Sequence, residues 1–321
     1  MQTIAGKGYD TMSFRVRTDL AIEAAQLWGD VNDIPGCMVK NDIRGGVEVN
    51  VVDITDGDAS EKIGKPVGRY VTLHSDTIRS GDDSEYESIS ALLKEQIVEF
   101  ARECSNVLVV GLGNRSITPD ALGPLVAEKI FVTRHLAEEK IITDENVPSV
   151  SAMAPGVLGT TGIETGEIIK AVTERIKPDV VIAIDALAAG SMERVTSTVQ
   201  ISDTGIIPGS GVGNRRNSLT EDTLGVPVIA IGVPTVVDAA TVANDALDIL
   251  TLAIKENAGE ESPLYRSAKN LENENRHSLI KQVLQPFVGN LIVTPTEIDS
   301  VIEHISMAIA DAINGAFVGD I

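Results

Sequence analysis

The sequence predicts an α/β fold: a mostly parallel sheet with helices on both faces. Three short apolar runs carry that prediction, at residues 107–110, 180–184 and 228–231. Continuous runs of four or five apolar residues, rich in Val and Ile, mark strands covered on both faces. Helical patterns lie between and after them, at about 122–135, 164–176 and 236–255. Strands alternating with helices build parallel sheets.

The other elements follow in chain order. Residues 1–19 are polar and irregular, and read as a poorly packed N-terminal arm. Residues 47–54 alternate and are β-branched, which predicts a half-buried strand, with 68–75 as its antiparallel neighbour. A charged loop is expected at 80–85. Ile89, Leu92, Leu93, Ile97, Phe100 and Ala101 then fall on one helical face. A charged loop at 256–262 precedes a helix over 265–284 and a short strand at 291–293. Thr294, Pro295 and Glu297 have the spacing of a helix start, which predicts a last helix through 312. No internal repeat or low-complexity segment is present. The expected organisation is an arm, 1–19, followed by a single α/β domain, 20–321.

Composition narrows the function. Aromatic residues make up only 3% of the chain, so the core must be built from Val, Ile, Leu and Ala. The formal net charge of −21 opposes binding to nucleic acid or to anionic membranes. Cys37 and Cys104 form no CxxC or Cys/His cluster, so neither a disulfide scaffold nor a thiolate zinc site is expected. The first residues lack the apolar run of a signal peptide, and no stretch approaches the roughly 20 apolar residues that span a bilayer. The expectation is a reduced cytoplasmic protein.

In open α/β sheets, sites form outside the carboxyl ends of the strands. Two of the three loops after the apolar runs carry a carboxylate, Asp120 and Asp185. Asp120 follows Thr118-Pro119 and could serve as a helix cap, and Asp185 could merely accept loop amides. If the two meet, repulsion raises one proton affinity, so that one carboxylate activates water while the other protonates the leaving group. Peptide hydrolysis needs that division of labour. Gly111-Leu112-Gly113-Asn114 follows a buried strand as a dinucleotide fingerprint would, but Ser116 stands at the third glycine position and Pro119 follows. The loop containing Gly211 and Gly213 lies after Pro208, away from any strand-to-helix turn, and reads as a surface loop or a substrate rim. His74, His135, His277 and His304 follow none of the three runs and read as surface or helix-end residues. No GxSxG, HExxH or Walker pattern occurs.

Several blocks together resemble germination proteases of endospore-forming bacteria: 17–24, 68–73, 109–114 with 118–124, 155–157 with 162–165, 182–189, 209–214 and 229–239. The resemblance runs from about 15 to 250 and resumes near 279–297, with 255–279 shorter than in the family. It implies the fold of hydrogenase-maturation proteases, within the phosphorylase/hydrolase-like class. It also implies a cytoplasmic homotetrameric zymogen that degrades small acid-soluble spore proteins at germination; no cofactor and no metal are expected. The family's two proposed catalytic aspartates fall on Asp120 and Asp185. The family cleaves after an acidic residue followed by an apolar residue and alanine. Thr18-Asp19-Leu20-Ala21 fits that pattern, so self-cleavage between Asp19 and Leu20 is expected. The alternatives are a metal-dependent peptidase of the hydrogenase-maturation type and a non-catalytic binding protein on the same fold.

Overall fold

The computed structural model describes residues 18–28, 34–76, 78, 83–139, 141, 147–207, 218–269 and 276–319. The backbone separates into two compact units, one of residues 18–237 with 293–321, the other including 238–292.

The larger unit is built on a twisted sheet. Its strands are β1 (Cys37–Arg44), β2 (Val47–Ile54), β3 (Gly68–His74), β4 (Asn106–Gly111), β5 (Ser149–Met153), β6 (Val180–Ala189), β7 (Thr198–Ser202) and β8 (Val228–Asp238), in the spatial order β1-β2-β3-β7-β8-β6-β4-β5. The ladder β8-β6-β4-β5 is parallel, as the apolar runs predict. The other half, from β8 through β7, β3 and β2 to β1, is antiparallel, so the sheet as a whole is mixed. The expected pairing of 47–54 with 68–75 is present as β2 and β3.

Alternation along β6 shows why its run is continuous. Val180, Ile182 and Ile184 point into one apolar cluster, with α3 (Asp83–Phe100), α4 (Leu122–Lys129) and α12 (Ile298–Phe317). Val181 and Ala183 point into the cluster on the opposite face, with Ile169 of α7 (Thr165–Ile176) and Leu224 of α8 (Glu221–Leu224). Each fully buried Ile or Val stabilises the fold by about 2 kcal/mol. Further along that second face, α1 (Ala21–Gln26) and α2 (Gly57–Ile63) contribute Leu20, Ile22, Ala59 and Ile63 to a third cluster, with Leu187 of β6. Asp56 caps α2 by accepting from the Ala59 amide at 2.9 Å.

Several expectations are corrected. Strands β6 and β8 do not stop at Asp185 and Gly232 but run on to Ala189 and Asp238. Their apolar runs end at Ile184 and Ile231, whereas the ladder continues. The helix over 122–135 is two, α4 and α5 (Arg134–Glu138); Thr133 between them pairs with the Val150 carbonyl of β5. The helix following 80–85 begins at Asp83. The last helix starts at Ile298, not after Thr294, because the Thr294 hydroxyl donates to the Thr235 carbonyl at 2.9 Å and ties that segment to β8. His74 is buried, with Nδ1 3.0 Å from the Thr198 hydroxyl. Cys37 and Cys104 are both free.

In the smaller unit, α9 (Ala239–Ala258) packs with α10 (Pro263–Lys269) and α11 (Arg276–Val288), and the helix expected over 265–284 is helical where it is described. Arg276 reaches Asp248 at 2.6 Å, and Lys281 reaches Asp238 at 3.1 Å. His277 is buried there, its Nε2 3.3 Å from the Thr241 hydroxyl, rather than exposed at a helix end. Among the described residues no helix is long and apolar enough to cross a membrane.

Candidate active site

Strand β4 stops at Gly111, the register partner of Ile184, while β6 continues past it. The Leu112 amide makes the last link, donating to the Ile184 carbonyl at 2.8 Å. The chain then folds back through a short 3-10 turn, Thr118–Asp120, which packs against β6. The Asp120 carboxylate closes the loop by accepting the Asn114 amide at 2.8 Å. On the far side, the Thr235 hydroxyl of β8 donates to the Pro119 carbonyl at 2.7 Å. Asp120 is thus fixed at both ends of its loop and is not the cap of α4, whose N-cap is Ala121.

Glycines make this closure feasible. Gly113 has φ +111°, and a Cβ there would lie 2.1 Å from the Asp120 carbonyl oxygen. A Cβ on Gly111 would lie 2.0 Å from the Gly123 carbonyl oxygen, where α4 crosses the strand end. The glycine pattern therefore serves close backbone approach, which accounts for it without a dinucleotide.

Asp185 lies within β6, buried, with Oδ1 accepting the Ala186 amide at 2.9 Å. Its register partner is Gly232, which in turn is the partner of Gln200, itself the partner of Thr72. Residues in one row share a sheet face. Asp185 and Gln200 therefore project on the same side, about 10 Å apart at the backbone, and the Leu187 side chain fills the space over the glycine between them, 2.5 Å from where a Gly232 Cβ would lie.

Burial raises the proton affinity of Asp120 above the ordinary carboxylate range, and the Asn114 amide opposes this only in part. A raised folded-state pKa stabilises the fold below the unfolded value near 3.8. That contribution is lost as pH rises through the raised value. Asp120→Asn is accordingly expected to raise the melting temperature at pH 7, with the gain shrinking to nothing at about pH 3.5. Thermal unfolding across that range checks it.

Gln200 holds the segment expected to be cut. Its Oε1 accepts the Ala21 amide at 2.7 Å and its Nε2 lies 3.4 Å from the Asp19 carbonyl oxygen. Lys65 Nζ donates to that same oxygen at 2.8 Å and to the Thr18 carbonyl at 3.2 Å. The Asp19 amide donates to the Ala188 carbonyl at 3.0 Å, and its carboxylate accepts the Ala188 amide at 2.9 Å. Leu20 is fully buried. The arm is thus well packed at Thr18 and Asp19, contrary to the expectation of a loose segment through residue 19. Asp19 does not cap α1 either, since the N-cap is Leu20. Residues 1–17 and the loop with Gly211 and Gly213 lie outside the described residues.

One group of potential metal ligands comes together among the described residues, away from Asp120 and Asp185. Ligand atoms of His74, Asp76 and Glu193 lie within 4.8 Å of one another. Both carboxylates are exposed. The Thr198 bond and Asp76, 3.5 Å from Nε2, partner the histidine without an ion.

The family model described as germination protease matches residues 17–269 and 264–321. This chain belongs to the germination protease family. The germination protease of Caldanaerobacter subterraneus subsp. tengcongensis is 48% identical over 302 residues, covering 93% of each chain. That of Clostridium tetani is 47% identical over 93% of this chain and 94% of its own. The Bacillus subtilis relative is 42% identical over 96% of this chain and 94% of its own. A solved structure, the NiFe hydrogenase maturation protease HycI from Thermococcus kodakarensis KOD1, is 20% identical. It covers 44% of this chain and 80% of its own, with a TM-score of 0.30. Membership makes the protein a peptidase of spore-forming bacteria.

Proposed function

We propose that the chain is a zymogen whose Asp120 and Asp185 together hydrolyse peptide bonds, first its own Asp19–Leu20 bond and then those of small acid-soluble spore proteins in the germinating spore core. The observation that carries this reading is the shared row of Asp185 and Gln200. Gln200 grips the Asp19–Leu20 junction on the sheet face that bears Asp185, across a glycine.

In the proposed reaction Asp185 takes a proton from water as the oxygen attacks the substrate carbonyl carbon. Asp120, whose burial keeps its proton to higher pH, donates to the departing nitrogen as the C–N bond breaks. Lys65 Nζ, on the Asp19 carbonyl oxygen, stabilises the negative charge that develops there. Residues 1–19 are the arm that leaves, and 20–321 form the mature enzyme. Assembly as a homotetramer is supported by α11, where Leu279, Val283 and Phe287 recur every four residues and are exposed. A metal-dependent mechanism has less support, because among the described residues no histidine forms a ligand group with Asp120 and Asp185.

The test is digestion of a purified small acid-soluble spore protein, with fragments mapped by mass spectrometry. Cleavage after an acidic residue that precedes an apolar residue and alanine, undiminished by EDTA, is expected. Scattered cleavage, or loss of cleavage with EDTA, contradicts the reading.

A further inference from the structure

Cleavage at Asp19–Leu20 creates a charge inside the fold. Water adds its hydroxyl to the Asp19 carbonyl carbon, the C–N bond breaks, and a proton passes to the Leu20 nitrogen. The new carboxyl ionises and its proton completes an α-ammonium on Leu20. In the uncut chain that residue is 0% accessible, so the new charge forms in a buried place. A cation in such a place needs a partner.

Glu23 is positioned to supply one. It is a buried carboxylate on the first turn of α1, three residues after Leu20. Its Oε2 accepts the Thr18 hydroxyl and, at 2.8 Å, the Gly190 amide just past the end of β6. The Thr18 hydroxyl in turn accepts the Leu20 amide at 3.0 Å. A single hydroxyl therefore stands between the Leu20 nitrogen and the Glu23 carboxylate, and it belongs to the piece that cleavage removes. The other oxygen, Oε1, is buried and makes no hydrogen bond.

We infer that Glu23 is the acceptor site for the α-ammonium of Leu20, which takes the place of the Thr18 hydroxyl once the arm is cut. This rests on the reading that the chain is cut between Asp19 and Leu20. In the zymogen burial raises the proton affinity of Glu23, opposed only in part by the Thr18 hydroxyl, the Gly190 amide, Arg194 and Ser191. The mature chain gives it a full counterion. Because the same carboxylate holds Gly190, the new ion pair bears directly on the strand that carries Asp185. The other charged groups near it are Lys65 and Arg194. Both are cations, so if either neutralised Glu23 in the mature form, the ammonium would be left unpaired.

The experiment titrates the α-amine of Leu20 by NMR after ¹³C reductive methylation, which keeps its charge. The sample is the processed chain beginning at Leu20, taken from the incubated full chain. Should the full chain not be cut there, it is released from a ubiquitin fusion. The amine is expected to titrate about one pH unit or more above its ordinary value near 8. In the processed Glu23→Gln variant it returns to the ordinary value. An ordinary titration in the parent overturns the inference, and that result does not depend on whether the variant folds. Intact mass of the incubated full chain separates the two readings: a cut at another bond sinks the cleavage reading, while the amine titration still decides the role of Glu23.

Discussion

Replacing Gly123 by alanine is expected to destabilise the protein by about 4 kcal/mol, a loss reached only when backbone must move in a packed core. The added Cβ would lie 2.3 Å from the Leu112 carbonyl oxygen, 2.4 Å from the Leu112 nitrogen and 2.6 Å from the Ile184 carbonyl oxygen. All three are backbone atoms, and two of them form the 2.8 Å hydrogen bond that closes β4 onto β6. No side-chain rotation relieves the clash. Either α4 withdraws from the sheet or that bond opens, and both displace the loop of Asp120. Gly159→Ala is the control, since nothing lies within 4 Å of a Cβ there. Urea unfolding of the two variants measures the difference. A Gly123→Ala loss below about 1 kcal/mol contradicts the described packing.

Asp185→Asn and Asp120→Asn are each expected to lower peptide hydrolysis by about 10²–10⁴-fold, the range of a single positioned acid or base. Asparagine keeps the shape and one acceptor oxygen, so the Asn114 and Ala186 amides retain a partner. What is lost is the transferable proton or the charge that takes one up. Because the two groups work as one acid–base pair, each of little use without the other, the double variant is expected to be little worse than either single one. Steady-state assay on one spore-protein substrate checks this. Losses that multiply would mean that the two residues contribute independently and do not work as a pair.

The parallel ladder was legible because burial on both faces leaves an unbroken apolar run, as in residues 180–184. Its extent was not. Beyond Ile184 the cover on one face passes from α7 and α8 to α1 and α2, and the composition turns to Asp185 and small residues while the hydrogen bonding continues. Edge strand β1 was missed because it is largely exposed and carries Lys40, Asn41 and Asp42, with no burial to impose a pattern. Strand β7 alternates Thr-Val-Gln-Ile-Ser over only five residues and has no strong flanking signal. Both aspartates could be picked out from their places after apolar runs. Lys65 and Gln200 could not. Their importance comes from reaching the Asp19 carbonyl across 46 and 181 residues of sequence, a pairing that only strand order creates. Nothing local signals that Glu23 is buried.

The most direct test of the central claim is intact mass of the full chain after incubation at mildly acidic pH, beside Asp120→Asn and Asp185→Asn. If the aspartates cut their own chain, the parent alone loses residues 1–19 and begins at Leu20, with or without EDTA. Equal trimming of all three chains would contradict the account, because the cut would then come from elsewhere and the two carboxylates would serve only to shape the loop.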